Sequence, residues 1–122
     1  MNRSFPLFVV SAPRSGSTLF RLILDAHPDI AVPPPGWLFD LVYPYLYSYG
    51  NLGDETNLLA LAEDILATPT VKKWPITLGA ADLVRQAGEK SFAGLYAALH
   101  AAYAKPGNKR RWGEKTPRNA FW

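Results

Sequence analysis

Residues 8–18 read FVVSAPRSGST. An apolar run breaks there into proline, glycine and small hydroxyl residues around a single arginine. The run from Phe5 to Val10 has the length and β-branched content of a strand buried on both faces. Beyond the break, residues 18–26 carry Leu19, Phe20, Leu22, Ile23 and Leu24 at helical spacing. The quoted stretch is therefore a strand–turn–helix junction, and such junctions often hold anions.

The residue types in the turn suit that task. A helix N-terminus presents unpaired backbone N–H groups and the positive end of its dipole to an anion. Gly16 allows close backbone approach, because no Cβ stands in the way. Ser15, Ser17 and Thr18 add hydroxyl donors, and Arg14 adds a fixed guanidinium able to fork onto phosphate or sulfate oxygens. The arrangement is not the Walker A loop GxxxxGK[ST]. No lysine follows Gly16, the first glycine is missing, and the positive charge stands two residues ahead of Gly16. A Mg-ATP or Mg-GTP hydrolase fits poorly, and a P-loop nucleotide kinase is the weaker enzymatic alternative.

Bulk composition narrows the classes further. At 122 residues, with 48% apolar and 19% charged, the chain is a single globular domain. It has no cysteine, which removes disulfide scaffolds and thiolate metal sites, and two histidines are too few for a histidine-built metal centre. Arg14 interrupts the only N-terminal apolar stretch, so neither a membrane span nor a secretory signal is expected. The expectation is a soluble, cytoplasmic protein. A net charge of +3 is mild and sits mainly at Lys72-Lys73 and from Lys105 to Arg118. The first pair reads as a solvated face. The second suits a polyanionic small ligand, and Lys109-Arg110-Arg111-Trp112 is weak evidence for nucleic acid.

Along the chain, His27-Pro28 ends the first helix, and a short apolar piece, residues 30–32, leads into Pro33-Pro34-Pro35-Gly36. Trp37 to Tyr49 is rich in aromatics that read as packing, with an acceptor pocket as the alternative. Helices are expected over residues 55–68 behind Gly53-Asp54, over 77–87 and over 91–104. Residues 105–108 form a turn, and Arg111-Trp112 a short strand. One firm strand and a handful of helices do not complete a parallel sheet. Together with the apolar Phe121-Trp122 end, this reads as a fragment.

Pro13-Arg14-Ser15-Gly16-Ser17-Thr18-Leu19 resembles, position by position, the signature loop of sulfotransferases that use 3′-phosphoadenosine 5′-phosphosulfate. Leu24-Asp25-Ala26-His27-Pro28-Asp29-Ile30 is similar to the continuation in bacterial and tyrosylprotein-type members. Gly113-Glu114-Lys115-Thr116-Pro117 is similar to the family's Lys-Thr-Pro segment. The resemblance implies an α/β, P-loop-like three-layer sandwich with a parallel sheet. Of this the chain would be the N-terminal part, with a largely helical insert. It further implies that Arg14, Ser15, Gly16, Ser17 and Thr18 grip the 5′-phosphosulfate, and that Lys115 is catalytic, neutralising charge near the transferring sulfuryl group. The acceptor would be a small molecule or biopolymer bearing a hydroxyl or amine, and no metal would be needed.

Two departures matter. Relatives often carry Pro-Pro-Glu-[Thr/Ser] after the Asp-Ala-His-Pro stretch, with the Glu as candidate base; here Pro35 and Gly36 fall at those places. Asp40 and Glu114 are substitutes, although Glu114 equally suits a pair with Arg110 or Arg111. His27 reads as packing or capping, so the base stays unassigned. The later segment that holds the 3′-phosphate in relatives has no counterpart here, so the chain is expected not to turn over alone. A non-catalytic anion-binding module is therefore a second reading.

Overall fold

The computed structural model describes residues 7–9 and 17–115. Arg14, Ser15 and Gly16 lie outside the described residues, as do Phe5, Val10, Thr116, Pro117 and the Phe121-Trp122 end. The elements run in chain order as β1 (Leu7–Val9), α1 (Ser17–Asp25), β2 (Ile30–Ala31), α2 (Leu38–Leu41), α3 (Glu55–Ala67), α4 (Ala80–Gln86), α5 (Phe92–Ala104) and β3 (Arg111–Lys115). Three 3₁₀ segments, Tyr43–Tyr49, Val71–Lys73 and Lys105–Gly107, join them. The chain is thus α/β: mostly helix, with a small parallel sheet.

The three strands lie in the order β1-β3-β2, all pairings parallel. Leu7, Phe8 and Val9 stand opposite Gly113, Glu114 and Lys115, while Ile30 and Ala31 stand opposite Arg111 and Trp112. The strand expected at Arg111-Trp112 therefore runs on to Lys115. Its extension comes from partners far away in sequence, which local propensity does not register.

The helices form where capping and apolar spacing agree. Asp54 caps α3 by accepting from the Thr56 N–H at 2.9 Å, and Ser91 caps α5 by accepting from the Gly94 N–H at 3.0 Å. Leu58, Leu61, Ala62 and Ile65 of α3 meet Leu83 of α4 and Leu95 and Leu99 of α5 in the core, with Val71 and Trp74 closing it. The fourth helix begins at Ala80 and not at Thr77, because Gly79 is extended (φ −85°, ψ 161°) and its N–H meets Asp82 Oδ2 at 3.4 Å.

The aromatic segment divides. Phe39 and Tyr43 pack on Phe92 and Tyr96 with ring centroids 5.4–5.9 Å apart, as packing predicts. Tyr45 and Tyr47 are exposed. Lys72 and Lys73 are exposed too, as a solvated face requires.

Candidate functional site

Parallel strands end at one edge, and in open α/β sheets ligands bind in the crevice at the carboxyl ends of the strands. Here that edge is made by Val9, which ends β1, and Lys115 opposite it on β3. Ser17 and Thr18 open α1, the next described element after β1. No acidic residue lies in the first turn of α1, so nothing there opposes a bound anion. Of the six residues singled out for binding and chemistry, Ser17 and Thr18 thus fall on the helix start and Lys115 on the strand end. Arg14, Ser15 and Gly16 lie outside the described residues.

The far end of α1 is clamped to the rest of the chain through Asp25. Its Oδ1 accepts from the N–H of buried Val32 at 2.8 Å, and its Oδ2 accepts from the Tyr103 hydroxyl of α5 at 2.9 Å. The Lys109 ammonium donates to the Asp25 carbonyl oxygen and stands 3.8 Å from Oδ1. Arg21 donates from Nη1 to the Val32 carbonyl at 2.7 Å, so both backbone groups of Val32 are held by α1. Burial first, and then the Asp25 carboxylate, push the Tyr103 hydroxyl up to about 12.

The strand end is anchored through Glu114, which lies 3% exposed with its Oε2 2.7 Å from Nε2 of the fully buried His100 on α5. Burial, and after it the Glu114 charge, drive the Tyr96 hydroxyl far above its ordinary range. Nearby, Arg110 donates to Asp29 Oδ2 at 2.9 Å, and this hydrogen bond holds the Asp29 carboxyl below its usual range. Of the two arginines considered for Glu114, Arg110 is therefore engaged by Asp29, and the glutamate meets a histidine that no motif marked.

The candidate bases are largely committed elsewhere. Glu114 is locked to His100, and His27 accepts the Asp29 N–H on Nδ1 at 3.0 Å, closing the turn that follows α1. Asp40 sits half-buried in the first turn of α2. Gly36, in the place where relatives have a hydroxyl residue, is buried, and a Cβ there would come within 3.2 Å of the Trp74 ring. Trp37 follows in the left-handed region at φ 57°, a costly conformation for a bulky side chain.

Two features of the site escaped sequence reasoning: the Asp25–Tyr103 and His100–Glu114 contacts. The only local signal was His100 itself, a titratable residue on the apolar stripe formed by Leu95, Tyr96 and Leu99.

Among the described residues, no helix is long and apolar enough to cross a membrane and no cluster of ligand side chains could hold a metal ion. A family model described as the sulfotransferase family matches residues 6–122. No curated protein and no solved structure matches the chain.

Proposed function

The chain belongs to the sulfotransferase family, and we propose that it serves transfer of a sulfuryl group from 3′-phosphoadenosine 5′-phosphosulfate to a hydroxyl or amine. One observation carries this reading: the register that sets Val9 opposite Lys115. It supports the reading because Val9 ends the strand that precedes the Pro-Arg-Ser-Gly motif in sequence and Lys115 is the first residue of the Lys-Thr-Pro motif. In this reading Arg14 and the amides and hydroxyls of Ser15, Gly16, Ser17 and Thr18 hold the 5′-phosphosulfate. Lys115 neutralises charge on the bridging oxygen or the sulfuryl group.

The chemistry is a displacement at sulfur. The acceptor oxygen or nitrogen forms a bond to sulfur, and the sulfur–oxygen bond to the 5′-phosphate breaks. The leaving group, adenosine 3′,5′-bisphosphate, takes the electron pair, and the acceptor gives up its proton. Positioning and neutralisation of the spreading charge supply the acceleration, with no metal in the scheme. The accompanying fold reading is a P-loop-like three-layer sandwich working in the cytoplasm.

A non-catalytic anion-binding module is the second reading. It is favoured by one observation, that Glu114 is committed to His100 while Pro35 occupies the place of the relatives' base.

Calorimetric titration with adenosine 3′,5′-bisphosphate tests the loop. A fork onto phosphate contributes about 1.5–3 kcal/mol, so Arg14→Ala should weaken binding by roughly 10- to 150-fold. Unchanged affinity in a folded variant would sink the assignment. Sulfuryl transfer by the chain then separates enzyme from binding module.

A further inference from the structure

The His100–Glu114 contact carries a proton count. His100 Nδ1 stands 2.8 Å from the Tyr96 carbonyl oxygen, and Nε2 stands 2.7 Å from Glu114 Oε2. A carbonyl oxygen only accepts, so Nδ1 must bear a hydrogen and donate it. A neutral imidazole would then turn its Nε2 lone pair toward a carboxylate oxygen at hydrogen-bond distance, which is repulsive. The contact requires one further proton between the two groups.

The surrounding rings favour keeping that proton on the imidazole. Tyr96 and Trp112 stack on His100 with centroids 4.4 and 4.5 Å away at 31° and 32°, and Trp74 meets it edge-on at 5.2 Å. Aromatic faces attract a cation, so the pair is an imidazolium and a carboxylate inside a wall of three rings. Buried ion pairs contribute little net stability against an apolar replacement, but they define geometry sharply.

That geometry bears on the edge. Glu114 precedes Lys115 and is itself opposite Phe8, and among the described residues three pairs join β1 to β3. So short a pairing depends on what holds β3 from behind. We propose that His100 and Glu114 are positioning residues: their proton-bearing pair fixes the end of β3 on α5, and with it Lys115 and the end of β1 where the loop departs. The inference rests on the reading of this edge as the 5′-phosphosulfate site.

Two variants and one spectrum test it. Glutamine at 114 can donate its amide hydrogen to a neutral imidazole, so Glu114→Gln keeps the contact without the extra proton, whereas Glu114→Ala abolishes it. Long-range ¹⁵N–¹H spectra of the unmodified protein should show both His100 nitrogens protonated, and those of Glu114→Gln only Nδ1. Amide exchange at Gly113 and Glu114 should speed up at least tenfold in Glu114→Ala, and affinity for adenosine 3′,5′-bisphosphate should fall about tenfold. Glu114→Gln should stay within about twofold of the parent in both. A bare Nε2 in the parent protein overturns the proposal, and that spectrum decides even where the alanine variant does not fold. Alanine behaving like glutamine, or a loosened strand with unchanged affinity, overturns it too. Unchanged affinity in Lys115→Ala would instead overturn the reading of the edge, which keeps the two failures apart.

Discussion

Replacing Asp25 by alanine should be among the most damaging single changes outside the apolar core. The side chain satisfies the Val32 N–H at 2.8 Å and the Tyr103 hydroxyl at 2.9 Å, with Lys109 standing 3.8 Å from Oδ1. Val32 is fully buried, so its N–H would lose its partner away from water, at a cost of about 1–3 kcal/mol. The half-buried Tyr103 hydroxyl adds about 1 kcal/mol, and the partly exposed Lys109 attraction at most about 1 kcal/mol. The total, about 2–5 kcal/mol, is a large share of the roughly 6–18 kcal/mol expected for a domain of this size. Asparagine should behave differently. Its carbonyl oxygen can still accept from Val32 and its amide can donate to the Tyr103 oxygen, leaving a loss near 1 kcal/mol. Urea denaturation followed by far-UV circular dichroism separates the two. With a slope of about 1.5 kcal/mol per molar, the midpoint should fall by roughly 1.3–3.3 M for Asp25→Ala and by less than about 1 M for Asp25→Asn. Tyr103→Phe should cost about 1 kcal/mol alone and almost nothing in the alanine background, as coupled partners do. Equal shifts for alanine and asparagine would refute the claim that the buried N–H carries the effect, and full additivity with Tyr103→Phe would refute the shared carboxylate.

Gly94→Ala should destabilise, although alanine is normally the better helix former by about 1 kcal/mol. The new Cβ would collide with the Glu89 carbonyl oxygen, and relieving a clash with backbone costs about 1–3 kcal/mol or more; a raised melting temperature would contradict this. The hydroxyls of Tyr49 and Tyr103, each pushed up to about 12 by burial first and a neighbouring carboxylate second, should be late phenols in an alkaline absorbance titration. Their folded pKa lies above the ordinary value near 10, so the stability they contribute is complete below that value and is lost as pH rises through about 12. Tyr103→Phe should remove one late phenol, and an undiminished late phase would count against its Asp25 bond.

What the sequence disclosed follows from which interactions are local. Residues 55–67 and 92–104 could be read as helices because their caps, Asp54 and Ser91, and their apolar spacing lie within a few residues of one another. Residues 77–79 could not, since Gly79 takes an extended conformation that helical periodicity does not encode. The third strand was half visible: its last three residues pair with β1, more than a hundred positions away. The site divides in the same manner. The loop and Lys-Thr-Pro motifs are contiguous strings and were legible as such. Asp25 and Glu114 both sat inside recognised motifs, yet their partners, Tyr103 and His100, come from a helix that reads as an ordinary Ala-rich segment.

That those two partners share one helix changes how the edge is understood. His100 and Tyr103 are three residues apart on α5 and therefore lie on one face of it, and Trp74 touches both rings, at 5.2 and 5.9 Å. From that single face, Tyr103 holds the last residue of α1 and His100 holds Glu114 at the end of β3. A nine-residue helix is rigid over its length, so fixing its far end also fixes the direction in which its N-terminus points. The spacing between the start of α1 and Lys115 is then set by α5, although no α5 residue belongs to the loop or to the Lys-Thr-Pro segment. The two holds differ in kind. At Asp25 a carboxylate is shared among a backbone N–H, a phenol and a partly buried lysine. At Glu114 the pair is dry, ring-walled and dependent on a proton. Disturbing the first should tilt α1 and cost stability, whereas disturbing the second should release the strand end and weaken anion binding more than it lowers the melting temperature.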